Sequence, residues 1–189
     1  MTAQRSMQWR GGERLQNWAT AWPMFRELDR RYGMGGFNVD CCAETWSAKC
    51  ERFITEEMDA LKIETHRAFI DDDPKLFGKL RGFWNPPFDN IDPFVRMAGA
   101  LVTMSLYELN VLIVPARVGQ GWFHEAAKTA NIFPVEGRVT FHPPPEYSAP
   151  KISSHGEDFI VVQFCRPIYG PAFKYRPDAG APLLAELDQ

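Results

Sequence analysis

Leu80-Arg81-Gly82-Phe83-Trp84-Asn85-Pro86-Pro87-Phe88 is a largely apolar run that stops at an Asn-Pro-Pro-Phe tetrapeptide. The first five residues read as a buried strand. Pro86 has fixed φ and no N–H, so the ladder cannot continue through it, and it holds Asn85 in an extended conformation. Asn85 is thus delivered at the C-terminal end of the strand. The Asn side-chain oxygen and the backbone carbonyl of the next residue are two hydrogen-bond acceptors. Set against the two N–H bonds of an amino nitrogen conjugated to a ring or carbonyl, they draw it towards a tetrahedral shape. The lone pair is then free to attack a methyl donor. A stiff Pro86-Pro87 loop keeps both acceptors preorganised. Phe88 offers a flat face to a planar base lifted out of its stack. The plainer alternative is a Pro-Pro turn after a core strand.

Outward from this stretch the pattern alternates. Residues 111–115 form a continuous apolar run, the mark of a strand covered on both faces. Residues 37–43 read as a buried strand running into a loop, and residues 52–55 as a second one. Residues 138–141 and 159–164 read as late strands. Residues 23–32 predict an amphipathic helix, with Pro23 at its start and Phe25, Leu28 and Tyr32 on one stripe. Residues 93–109 and 122–130 predict two more helices, and residues 64–80 a helix or an excursion loop. Strands alternating with helices imply an α/β sheet. Ligands of such sheets sit at the C-terminal strand ends. The loops beginning at Asp40, Asn85 and Pro115 therefore converge on one edge. Residues 1–16 are expected to be a mobile arm, 17–166 one domain, and 167–189 a Pro-rich tail. The Pro143-Pro144-Pro145 run opens a polar loop to about residue 156.

The 189 residues are 45% hydrophobic and 13% aromatic, enough for one real core. The first residues are polar and lack an apolar h-region, so no secretory signal is expected. No apolar run approaches ~18 residues, so no membrane span is expected. Cys41 and Cys42 are adjacent, an awkward start for a disulfide framework, which favours a reduced, cytoplasmic protein. Cys41, Cys42 and Cys50 match no familiar zinc spacing, so no metal site is expected. The net charge of -3 does not advertise nucleic-acid binding. A local basic face can coexist with it. The candidates are Arg5, Arg10 and Arg14; Lys75, Lys79 and Arg81; and Arg117 with Lys128.

Six landmarks occur in order: Trp18-Ala19-Thr20; residues 37–43; Phe53-Ile54-Thr55 followed by Asp59-Ala60-Leu61; Trp84 to Phe88; Pro115-Ala116-Arg117 with Trp122-Phe123; and residues 137–141. In these the chain resembles the phage-type Dam DNA N6-adenine methyltransferases, from about Trp18 to Phe164. The resemblance implies a Rossmann-like S-adenosylmethionine-dependent methyltransferase fold, a central, mostly parallel sheet flanked by helices. It implies methyl transfer to adenine N6 in double-stranded DNA, with the adenine flipped out, in the cytoplasm of a bacterial host if the gene is phage-borne. Asn85, Pro86, Pro87 and Phe88 become the catalytic group. Trp18, Thr20, Asp40, Cys41, Cys42, Asp59 and Asn85 become the S-adenosylmethionine pocket, with Glu57 a weaker member. The Asp40 charge suits the methionine ammonium or the sulfonium; its alternative is a loop cap. Asp59 suits the adenosine; its alternative is a helix cap.

Two departures stand out. The methyltransferase Gly-x-Gly loop is absent after the first strand, where Cys41-Cys42-Ala43 supplies small residues instead. The start motif has Ala21 where the family usually has proline. Phe88, Arg117 and Lys151 are the expected nucleic-acid contacts, Phe88 on the base and the cations on phosphates. Asp89 and Asp92 fit helix-start residues, and His142 and His155 ordinary loop residues. The rivals are methylation of an RNA adenine or a protein glutamine amide, and a non-catalytic DNA- or cofactor-binding module of the same fold. A cytosine N4 target is less favoured, since that group usually has Ser at the Asn85 position.

Overall fold

The computed structural model describes residues 9–10, 13–14, 18–145, 153–154 and 157–166. Arg5, Lys151, His155 and the Pro-rich tail lie outside the described residues. In chain order the first strands are β1 (Trp9–Arg10), β2 (Glu13–Arg14), β3 (Ala19–Thr20), β4 (Val39–Asp40), β5 (Arg52–Phe53) and β6 (Leu80–Trp84). They are followed by β7 (Tyr107–Pro115), β8 (Asn131–Pro134), β9 (Thr140–His142), β10 (Ser153–Ser154) and β11 (Phe159–Cys165). The helices are α1 (Trp22–Tyr32), α2 (Ile63–Asp72), α3 (Ile91–Thr103) and α4 (Gly121–Ala126). Pro74–Leu76 adds a 3-10 turn.

β6 lies inside a six-stranded sheet of order β5-β4-β6-β7-β11-β8. β5, β4, β6 and β7 run parallel, with Asp40 paired to both Phe53 and Phe83, and Phe83 to Val111. β11 runs antiparallel between β7 and β8. A second, three-stranded sheet has the order β10-β9-β3. Within the segment expected to be an arm, β1 pairs with β2.

Side chains alternate across β6, and the two faces take different helices. Phe83 meets Phe25 of α1 edge-on at 5.1 Å. On the same face Gln163 of β11 donates to the Tyr32 carbonyl at 3.2 Å. The other face carries Gly82, Trp84 and Asn110. Asn110 donates to the Ala98 carbonyl of α3 at 2.8 Å and accepts from the Trp84 indole at 2.9 Å. His66 of α2 lies 5.6 Å from the Trp84 ring. Gly82 is required there, because a Cβ would sit 2.2 Å from the Asn110 amide oxygen. Strands buried by helices on both sides must be apolar throughout, which is the pattern of residues 111–115.

The expectations for residues 23–32, 80–84 and 159–164 match α1, β6 and β11 to within a residue or so. The helix expected over 93–109 is corrected: α3 ends at Thr103, and β7 begins at Tyr107. Ser105, at φ 62, adopts the left-handed conformation that reverses the chain. Leu109 falls in helical phase with Leu101 by coincidence and is a buried strand residue. The helix expected over 122–130 stops at Ala126. Residues 64–80 resolve into α2 and the 3-10 turn. β8 was not expected: it sits at the sheet edge, and its half-exposed residues lack an alternating pattern. No helix among the described residues is long and apolar enough to cross a membrane.

Candidate functional site

The parallel register sets the C-terminal ends of β4 and β6 side by side. Asp40 closes β4, and Asn85 follows β6 directly. Over this edge the chain folds β3 back against β9, with Thr20 opposite Phe141. Trp18 and Thr20 are thereby carried above the sheet. Between them and the strand ends lies a cavity of about 480 Å³. Trp18, Thr20, Asp40, Cys41, Cys42, Asp59 and Asn85 all line it, as does Pro87. Residues from four separate segments thus meet in one place.

Four buried side-chain polar atoms among the described residues have no hydrogen-bond partner: Trp18 Nε1, Thr20 Oγ1, Asp40 Oδ1 and Asn85 Oδ1. All four residues line this cavity. An orphaned buried polar atom costs about 1–3 kcal/mol, so such atoms are rarely left unmatched by chance. One donor, one hydroxyl and two acceptors without partners are thus gathered on the residues around one cavity.

Asn85 shows how the arrangement is fixed. Its Nδ2 donates to the Trp18 carbonyl at 2.7 Å. That bond uses the amide nitrogen and leaves the oxygen, Oδ1, as a buried acceptor without a partner. No backbone donor reaches the Pro86 carbonyl among the described residues, while the Pro87 carbonyl accepts from Asn90 at 3.3 Å and closes the turn.

Asp40 is 2% exposed. Its Oδ2 accepts from the Lys49 backbone N–H at 3.0 Å. Burial raises its carboxyl to about 6, against the lowering effect of the Lys49 and Cys42 backbone N–H groups. A carboxylate held this way gains from any cation brought to its unpartnered oxygen. Burial also pushes the Cys41 and Cys42 thiols well up. They remain neutral and serve as small cavity walls, and all four cysteines are free. No cluster of metal-ligating side chains occurs among the described residues.

Asp59 lies in the turn before α2, whose N-cap is Lys62, so the residue is not the helix cap offered as its alternative. Its Oδ1 accepts from the Leu61 N–H at 2.9 Å, capping a turn at φ 65, while the residue lines the cavity. Glu57 is exposed and outside the lining, where Glu56 takes its place. Asp92 begins α3 and pairs with Arg96 at 3.0 Å.

Phe88 and Arg117 sit apart from the cavity. Phe88 is 8% exposed, and Phe141 and Phe159 meet its ring edge-on at 5.6 and 5.5 Å. Arg117 points inward: it donates to the Phe88 carbonyl at 2.6 Å and pairs with Glu157 at 3.2 Å. In this structure Arg117 braces the Asn-Pro-Pro-Phe loop. Among the other basic candidates, Arg81 and Lys128 also have partners within the chain. Arg81 donates to the Gly36 and Met34 carbonyls, and Lys128 pairs with Glu125 at 2.7 Å.

Sequence reasoning missed Lys49, Ser47, Glu44 and Phe94, which also line the cavity. The first three lie in the loop after β4, whose composition resembles any solvated turn. A signal existed only in hindsight of its length, which is enough to wrap back over Asp40.

A family model described as DNA N-6-adenine-methyltransferase (Dam) matches residues 12–173. A DNA N-6-adenine-methyltransferase of Escherichia phage T1 is 28% identical over 125 residues, 65% of this chain. The chain spans about half of that relative, 46% of its length.

Proposed function

Because the chain belongs to the DNA N-6-adenine-methyltransferase (Dam) family, we propose that it transfers a methyl group from S-adenosylmethionine to the N6 amino group of adenine in DNA. The reading rests above all on one observation: four buried polar atoms without a partner, Asn85 Oδ1 among them, belong to residues that line a single cavity. It makes the sheet a Rossmann-like methyltransferase sheet, with its cofactor at the C-terminal strand ends.

The residues present fit that cofactor. Asp40 Oδ1 suits its cationic end. Trp18 Nε1 and Thr20 Oγ1 supply polar contacts from above, and Asp59 and Ile54 border the opposite wall. S-adenosylmethionine, when bound, supplies the methyl group on a cationic sulfonium. The protein's own work is on the adenine. Asn85 Oδ1 and the Pro86 carbonyl accept from the two amino hydrogens and localise the lone pair on N6. The Trp18 carbonyl holds the Asn85 amide so that its oxygen faces the substrate, with no reorganisation at the moment of reaction. The amino proton leaves to water or a carboxylate once the nitrogen is methylated. Extruding the base costs a few kcal/mol, offset by contacts within the site. Phe88 takes the flipped base only after its ring turns away from Phe141 and Phe159.

The test is incubation with labelled S-adenosylmethionine and separate DNA, RNA and protein acceptors, followed by nucleoside analysis. N6-methyladenine in the DNA digest is the expected product. Label in RNA or protein alone would replace this reading.

A further inference from the structure

Lys49 is the one basic side chain among the described residues lining the cavity, and its chain position is unusual. Its backbone N–H binds Asp40 Oδ2 at 3.0 Å, so the residue starts from the same wall as the buried carboxylate. Its side chain does not close onto that carboxylate, and it makes no ion pair among the described residues. Instead Nζ donates to the Ser47 carbonyl at 2.6 Å and lies 4.9 Å from the centre of the Trp22 ring. An ammonium has further donors beyond that one bond. The cavity lining therefore holds a buried carboxylate oxygen without a partner, Asp40 Oδ1, and an ammonium that forms no ion pair with it.

A ligand carrying only positive charge would meet Asp40 favourably and Lys49 unfavourably. A ligand carrying only negative charge would meet the reverse. An α-amino acid end resolves both, because its ammonium and carboxylate sit on one carbon. Glu44 and Glu56 also line the cavity, but they are less buried than Asp40 and bound to no described cation. Asp59 is held by the Leu61 N–H and lies 3.5 Å from Lys62.

We propose that Lys49 binds the carboxylate of the methionine end of the cofactor while Asp40 binds its ammonium, so that the pair selects the zwitterion. This rests on reading the cavity as the S-adenosylmethionine site. It assigns to the loop after β4 the recognition that a glycine loop would otherwise perform with backbone N–H groups.

The experiment is calorimetric binding of two probes, S-adenosylmethionine and its decarboxylated form, which keeps the sulfonium and the ammonium. The wild-type protein is expected to prefer the intact molecule by on the order of tenfold or more, as for a hydrogen bond to a charged group. Lys49→Met should lose most of that preference by weakening only the intact molecule. Lys49→Arg should retain it, which separates lost charge from lost folding. Asp40→Asn should weaken both probes alike. Equal weakening of both probes by Lys49→Met, or no change in either, overturns the Lys49 assignment and leaves the cofactor reading standing. Failure of the wild-type protein to bind either probe overturns the cofactor reading and this assignment with it.

Discussion

Asp40→Asn should make the ligand-free protein more stable and a poorer binder of cofactor. Burial lifts the Asp40 carboxyl from 3.8 to about 6. At about 1.4 kcal/mol per pH unit, the ionised form costs the fold about 3 kcal/mol. The folded state holds the proton more tightly than the unfolded chain. Asp40 is therefore harmless below its unfolded value near 3.8, and its penalty grows as pH rises to about 6 and stays constant above. Asparagine mimics the protonated acid, and its oxygen can keep the Lys49 N–H. The variant should gain about 3 kcal/mol at pH 8 and about half of that near pH 5. For a chain of this size that is a rise in Tm of about 6–12 °C at the higher pH. Paired thermal melts of both proteins across pH isolate the difference from every other titrating group. Calorimetry on the same samples should show cofactor affinity falling by tenfold or more. A variant that melts lower at pH 8, or whose gain does not depend on pH, would mean that Asp40 is a satisfied loop cap, and the reasoning would fail.

Three further outcomes check the rest. Asn85→Ala should lower single-turnover methyl transfer by on the order of a hundredfold or more, as removal of a preorganised polar contact does, with cofactor affinity within about threefold of wild type; an unchanged rate would sink the mechanism. Arg117→Gln should slow turnover by loosening the loop at the Phe88 carbonyl, yet leave the salt dependence of DNA binding unaltered; a drop of about one in the slope would restore a phosphate contact. Gly82→Ala should destabilise the fold by about 2–3 kcal/mol in urea titration, since its Cβ would meet Asn110 Oδ1 at 2.2 Å and break the Trp84 bond; a loss under about 0.5 kcal/mol would contradict the close approach.

The legible parts of this chain are those governed by local rules. The strand before Asn85 ends where proline removes a donor, and the α/β class follows from alternating periods. That Asp40 and Asn85 share a sheet edge followed from the alternation of strands and helices, whereas Trp18, Thr20 and Asp59 joined them only through the resemblance, because no short-range pattern links residues so far apart. The boundary between α3 and β7 was misread because an apolar residue such as Leu109 satisfies a helical spacing as well as a strand. β8 escaped because an edge strand needs no continuous apolar face.

By itself the sequence determined which groups are available: an Asn followed by two prolines at a strand end, a carboxylate at another strand end on the same edge, and a family that the chain resembles. Proline stereochemistry and side-chain period act within a few residues, so they can be read without coordinates. What the groups face was decided only in three dimensions. The Trp18 carbonyl chooses which atom of the Asn85 amide is free. Glu157 and the Phe88 carbonyl turn Arg117 from a surface cation into a brace. The loop after β4 brings Lys49 back to Asp40. Each of these is a contact between distant segments, set by how the sheet edge packs, and an amide or a cation takes its role from the partner that packing supplies.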